Sequence, residues 1–235
     1  MKFTSALLVS FALFAASCSF TPSKHGPVKS EDRTITAFTR IESSGAVEID
    51  FKTADKVSVI VEAPDDILPH LATEVNNGTL NIHLTSEVNN LSQPVKVHLE
   101  GPSLEAAQLS GACSLDLLAP LNGKNFRIDL HGASSFEGTV YLKDLQMSLS
   151  GASIAKVAGM TNSFSAEATG ASTLNGEKLS AVKAVVKSEG ASNTSLRADS
   201  SLNAKASGAS FITYTGDPVV LEKESSGASE IHKGK

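Results

Sequence analysis

Two carboxylates, Asp116 and Glu137, occupy the same place in a recurring stretch of this sequence and are the residues best suited to chemistry. Each follows the glycine of a Gly-Ala pair by five positions. Paired carboxylates cleave glycosidic bonds by acid and base catalysis when they converge on one sugar. The equivalent place in the next repeat holds Lys156, however. This pattern favours a solvated ladder of surface charges, and a carbohydrate-active enzyme using both carboxylates is the alternative.

The other reactive side chains show no spacing typical of a site. Cys113 stands where most repeats have serine, which predicts a small interior side chain in place of a reactive thiol. No pair of histidines has the spacing of metal ligands. The six histidines are His25, His70, His83, His98, His131 and His232. We therefore predict no catalytic residue, no metal site, no cofactor and no enzymatic activity.

The first 18 residues have the pattern of a lipoprotein signal peptide. Lys2 precedes an apolar run over residues 6–14, and three small residues then lead to Cys18. The run is too short to span a bilayer as a permanent anchor. A cysteine after small residues resembles a bacterial lipobox, although Ala15 stands where that motif favours leucine. We predict that Cys18 is lipidated and begins the mature chain; an ordinary cleaved signal is the alternative.

The segment that follows predicts how the folded part is held. Residues 19–33 are polar and contain Pro, Gly and Ser, which is typical of a flexible tether. Lipidation of one of the two cysteines leaves no disulfide to form. The formal net charge of -5 is spread without a basic cluster, which argues against nucleic acid as a partner. These features predict an exported protein, lipid-anchored in the bacterial cell envelope at the outer membrane.

The chain over residues 34–235 is predicted to be one all-β domain. Residues 34–100 alternate apolar and polar side chains, as strands do, and form a β-rich N-terminal section. Residues 101–235 carry Gly-Ala pairs at intervals of 18 to 21 residues, too short for crossovers that contain a helix. This predicts a right-handed parallel β-helix, or β-solenoid, with about 19–20 residues per turn. The repeat glycines are Gly45, Gly111, Gly132, Gly151, Gly170, Gly190, Gly208 and Gly227.

The residues around each glycine predict which side chains face the core. The positions two and four before the glycine are nearly all apolar, and those one and three before it are polar. A residue at a bend that stacks on its own copies must be small, which favours glycine. The hydroxyl of the serine that follows can hydrogen-bond to the backbone. The same register places Glu167 over Lys187 and Lys205 over Glu224. The last repeat is more charged, as a capping turn is.

The stretch from Phe38 to Leu84, FTRIESSGAVEIDFKTADKVSVIVEAPDDILPHLATEVNNGTLNIHL, precedes serial LSGA and GAS repeats. Together they resemble the putative autotransporter adhesins with a head GIN domain, common among envelope lipoproteins of Bacteroidota. The resemblance covers about residues 34–235 and implies a β-solenoid-type fold, export and envelope attachment. It supplies no catalytic or ligand-binding residues.

The predicted function is that of a non-catalytic envelope lipoprotein, acting as an adhesin-like binding or scaffolding module. Its partners would be the membrane, through the lipid, and an envelope polysaccharide or protein. One alternative is the carbohydrate-active enzyme described above. The other is a purely structural protein that assembles with its own copies as a homo-oligomer.

Overall fold

The computed structural model describes residues 25–85, 91 and 93–234, which are almost entirely β-strand. The one helical element among them is a 3-10 turn, Leu68–His70, with Pro69 inside it. Within the same residues no helix has the length and apolarity needed to cross a membrane. The predicted signal peptide, including Cys18, lies outside the described residues.

The N-terminal section contains seven strands. They are β1 (Val28–Asp32), β2 (Arg40–Gly45), β3 (Val47–Thr53), β4 (Ser58–Pro64), β5 (Leu71–Asn76), β6 (Thr79–Leu84) and β7 (Val95–Gly101). The β5–β6 pair is an antiparallel hairpin whose turn residues, Asn77 and Gly78, both have positive φ. That geometry fits a two-residue turn with the asparagine-glycine sequence.

The repeat section contains eleven strands. They are β8 (Ala106–Gly111), β9 (Ser114–Leu117), β10 (Leu121–Asn122), β11 (Asn125–Leu130), β12 (Ser135–Leu149), β13 (Ile154–Ala168), β14 (Thr173–Ser188), β15 (Asn193–Ala206), β16 (Phe211–Thr215), β17 (Val220–Ser225) and β18 (Glu230–Lys233). Strand β12 pairs in parallel with β9, β10 and β11, so these three short strands form one coil and β12 is the next. Strands β13, β14 and β15 continue the stack in parallel. The predicted parallel β-solenoid is confirmed.

The N-terminal section pairs in parallel with the repeat coils, and antiparallel strands close the N-terminal end of the solenoid. Strands β2 and β3 lie against β8 and β9 in parallel and so form the first coil. Beyond them, β4 is antiparallel to β7, and β1 is antiparallel to β4. Reversed strands therefore finish this end of the stack.

Strand β1 corrects the predicted boundary of the tether. Residues 28–32 fall inside the expected flexible segment, yet all five pair with β4. Every side chain of β1 is exposed, so the strand leaves no hydrophobic pattern in the sequence. Its pairing depends on main-chain hydrogen bonds, because the edge of β4 offers free backbone groups.

The predicted core positions are buried. In one coil Ile128 and Leu130 have no measurable exposure, and Met147 and Leu149 take their place in the next at 3% and 1%. The fourth residue after the glycine is also interior, as Phe136 shows at 2%. Side chains of equal parity stack on their copies, so a continuous apolar column fills the coil.

The repeat glycines form a single column of backbone contacts. In each coil the amide of the alanine after the glycine donates to the oxygen of the glycine one coil earlier; for Ala152 and Gly132 the N···O distance is 2.7 Å. A Cβ placed on Gly151 would lie 2.6 Å from that same oxygen, and Gly151 has a φ of +78°. Crowding by the neighbouring coil and left-handed backbone both demand glycine at this bend.

In most repeats the serine two residues after the glycine is interior and its hydroxyl donates to a backbone oxygen, whereas the buried Ser172 Oγ has no partner. Ser153 Oγ donates to Ser150 O at 2.7 Å within its own coil, whereas Ser210 Oγ donates to Ser188 O of the preceding coil at 2.9 Å. Cys113 replaces this serine and is buried, 3.4 Å from Ser43 Oγ. The position therefore holds a small side chain, as predicted for Cys113.

The last coil is more exposed than the others. All six residues of β17 are exposed. Lys223 occupies an inward position and sets its Nζ 5.7 Å from the ring centroid of Tyr214, which is itself 4% exposed. A lysine stem and its charge thus cover the end of the core, as expected of a capping turn.

Gly45 and Gly151 distinguish the two reasons for glycine in the glycine column, which are positive φ and close contact with the neighbouring coil. Both have positive φ, but a Cβ on Gly45 would meet nothing within 4 Å. We expect Gly45→Ala to cost about 1–3 kcal/mol of unfolding free energy through backbone strain. Gly151→Ala adds overpacking against Gly132 of the preceding coil, a further cost of about 1–3 kcal/mol. Urea unfolding measures both.

Ser148→Val, at a half-buried outward position, is the control and should change the unfolding free energy by less than about 0.5 kcal/mol. Equal losses for the two glycine variants would contradict the role assigned to stacking.

Candidate functional site

The two predicted carboxylates stand side by side in one outward column of the solenoid. Asp116 and Glu137 are register partners on adjacent coils, and Glu137 is the partner of Lys156. The column, called the Asp116 column here, contains in order His98, Asp50, Asp116, Glu137, Lys156, Asn175, Ser195, Thr213 and His232. It runs along one face from the first coil to the last.

The side chains of His98 and Lys156 contact the two ends of the carboxylate group. His98 Nδ1 lies 2.8 Å from Asp50 Oδ2, and Lys156 Nζ lies 3.2 Å from Glu137 Oε2. Asp116, in the middle, forms no ion pair with any described side chain. Partial burial, followed by the negative charges of Glu137 and Asp50, raises the pKa of Asp116 above its ordinary value.

The position of each residue relative to its repeat glycine decides which members of the Asp116 column can be predicted from the sequence. The shared offset of five from the glycine brought Asp116 and Glu137 together, as expected. The same offset from Gly45 leads to Asp50, which was overlooked because 66 residues separate Gly45 from Gly111. No distance from a repeat glycine identifies His98, because β7 lies outside the repeat section. Pairing of β7 with β3 sets His98 beside Asp50.

The surroundings of the two carboxylates favour a ladder of surface charges over a glycosidase site. Asp116 and Glu137 project from the same face in the same direction, as side chains at register positions of neighbouring parallel strands do. Glu137 is also tied to Lys156 and is well exposed, with 64% of its side chain accessible. The ladder of surface charges remains the better interpretation.

The other charge ladders have the predicted partners. Lys187 Nζ lies 3.3 Å from Glu167, and Lys205 Nζ lies 2.9 Å from Glu224, each across adjacent coils. Among the described residues no group of three or more His, Cys, Asp or Glu side chains is placed to hold a metal ion. Partnered charges across adjacent coils thus recur on the outward faces.

Asp116→Asn tests the electrostatics of the column. A carboxyl whose pKa is raised by folding weakens the folded state above that pKa, and the penalty vanishes below its unfolded value of about 3.8. We expect Asp116→Asn to raise Tm at pH 7 by about 1–2 °C, a small gain because solvent screens the site. The gain should disappear near pH 3.

Asp129→Asn is the matched control, because that carboxylate accepts hydrogen bonds at 2.8 and 3.1 Å from Arg127. It should not raise Tm at pH 7. A drop in Tm for Asp116→Asn at pH 7 would show that the carboxylate is stabilising.

Solved structures share the architecture. A putative adhesin from Bacteroides fragilis NCTC 9343 superposes with a TM-score of 0.83 at 19% identity, covering 91% of this chain and 99% of that one. A putative adhesin from Parabacteroides distasonis ATCC 8503 gives 0.73 at 18%, covering 89% and 98%. A putative lipid binding protein from the same strain gives 0.68 at 20%, also covering 89% and 98%. At these identities the likeness shows the fold.

The family is established by sequence. No curated protein matches the chain. The family profile described as putative auto-transporter adhesin, head GIN domain, matches residues 37–218, which is most of the chain and includes seven of the eight column glycines. The chain belongs to this family of putative auto-transporter adhesins with a head GIN domain.

Proposed function

We propose that the chain is an exported, non-catalytic binding module of the bacterial cell envelope. The observation that carries the proposal is the array of outward side chains held in columns at strand spacing, with the Asp116 column running from first coil to last. A rigid coil presents these groups without further ordering, so a partner that touches several coils loses little conformational entropy of the protein. The adhesin names of the family and of two structural relatives support the same function.

The anchor in this proposal is a lipid on Cys18, which would attach the module to the outer membrane. Cys18 follows an apolar run and three small residues, the arrangement on which lipoprotein processing acts. The residues between Cys18 and β1 would separate the first coil from the membrane surface. The binding faces would then stand clear of the lipid headgroups.

Self-assembly is the second candidate, and a specific observation favours it. Among the described strands, β17 pairs only with β15, and β18 pairs only with β16. Their outer backbone groups are open to another strand, which is the usual route to edge-to-edge association. The solution mass of the purified chain, measured by light scattering, decides whether copies associate.

The binding function is tested on the mature chain, immobilised through its N-terminus. We expect it to retain envelope polysaccharide or envelope protein from solubilised membranes of the source bacterium, because its outward columns are preformed. A chain carrying Gly151→Val, in which the coil is strained, is the control and should retain less. Mass spectrometry and sugar analysis identify what is bound.

Retention of nothing above the control would refute the binding function. New reducing ends in the polysaccharide, lost on Asp116→Asn with Glu137→Gln, would instead establish the enzyme.

The lipid anchor has its own test. Cells expressing the chain are labelled with an alkyne fatty acid, and the protein is expected to carry the label and to sediment with membranes. Cys18→Ser should abolish both, because the acylated thiol is lost, whereas Cys113→Ser keeps both. Label on Cys18→Ser would contradict the assignment.

A further inference from the structure

The stacking of coils is irregular at one corner of the solenoid. Register shifts of the parallel ladder occur between Lys156 and Ala158 of β13, and twice in β14, after Gly176 and after Ala181. Among the described strands no other pair has such a shift. Bulges of this kind bend a strand and redirect its side chains, and they are frequent beside binding sites.

A groove of about 210 Å³ opens at this corner, next to the last of those shifts. We define the corner groove by Tyr141, Met160, Val182, Ser180 and Asp199. Tyr141 and Met160 are register partners, and the first three side chains are 45%, 59% and 43% exposed. Ile154, Val185 and Phe211 are also exposed, but Tyr141, Met160 and Val182 differ in lining one groove together, and grouped apolar side chains on a surface mark contact sites.

The other wall of the corner groove is polar and electrically balanced. Asp199 accepts hydrogen bonds from Ser180 Oγ and from Arg197 Nε, the latter at 2.9 Å. These bonds, that of Ser180 first, lower the pKa of Asp199, so it is ionised at neutral pH. Asp199 is the one charged side chain in the lining, and Arg197 neutralises it.

We propose that the corner groove binds one sugar unit of a neutral polysaccharide. The C–H face of a pyranose packs against the Tyr141 ring and the Met160 thioether, while its hydroxyl groups donate to the Asp199 carboxylate. Because Arg197 balances Asp199, the groove offers no net charge to an ionic ligand. The inference rests on the proposed binding function and names the ligand class that this one site selects.

The shape of the groove supports a polymer in place of a small free ligand. Its volume lies below the roughly 300–1,000 Å³ typical of enclosed small-molecule pockets. Its lining comes from successive coils, through Tyr141, Met160 and Ser180, and neighbouring coils repeat at about 4.8 Å, close to the length of a sugar unit in an extended chain. A chain seated at Tyr141 can therefore continue over the adjoining coils.

The test is calorimetric titration of the mature chain with four soluble hexasaccharides: β-1,4-glucose, β-1,4-mannose, β-1,4-xylose and, as an anionic comparison, oligogalacturonate. We expect at least one neutral probe to bind. Tyr141→Ala and Asp199→Asn should each weaken that binding about tenfold or more. Phe211→Ala, which removes an aromatic side chain of equal exposure (44%) on a different face, is the matched control and should bind as the unmodified chain does.

The outcomes separate the groove from the wider function. If no neutral probe binds, if the groove variants bind normally, or if oligogalacturonate binds best, the proposal is overturned. Should envelope material still be retained in that case, the binding function survives and only the groove assignment fails. Circular dichroism melts of the variants confirm that any loss of binding is local.

Discussion

The whole structure depends on one spatial constraint: each coil must lie against the previous one at the spacing of neighbouring strands. A residue in this fold meets its own equivalents above and below, so its size is limited by a copy of itself. At the bend the contact is between backbones, with the alanine amide bonded to the preceding glycine oxygen. Elsewhere the same constraint produces the buried aliphatic columns, the interior serines and the alternating charges on the faces.

The repeat section could be predicted from sequence because two periods are present in it together, one of two residues and one of about nineteen. They identify Leu130 and Leu149 as core residues and place Glu167 beside Lys187. The corner groove could not be found this way. Met160 lies nine residues after its glycine but its register partner Ser180 lies ten after, because the bulges insert a residue. The N-terminal strands lack the period of about nineteen residues, so the contact between His98 and Asp50 could not be predicted from the sequence either.

The core and the outward faces of the coil differ in how many residue types they tolerate. Interior columns tolerate few residue types, because an error in one coil is felt by two neighbours. Outward columns bear no such limit, and the Asp116 column changes along its length from acidic to basic and then to neutral polar groups. Function can therefore vary on the faces, and at the bulged corner, while the fold is preserved.

With the anchor proposed at Cys18, strand β1 would be the first described element to bear force. A module tethered at one end and attached to a surface or polymer at another is under tension, and the load would enter this chain through β1. A pull along the direction of β1 stretches its hydrogen bonds to β4 all at once, which resists rupture. A pull along the axis of the coil breaks the same hydrogen bonds one after another and needs less force. The direction of loading thus decides whether β1 stays paired with β4 or separates from it.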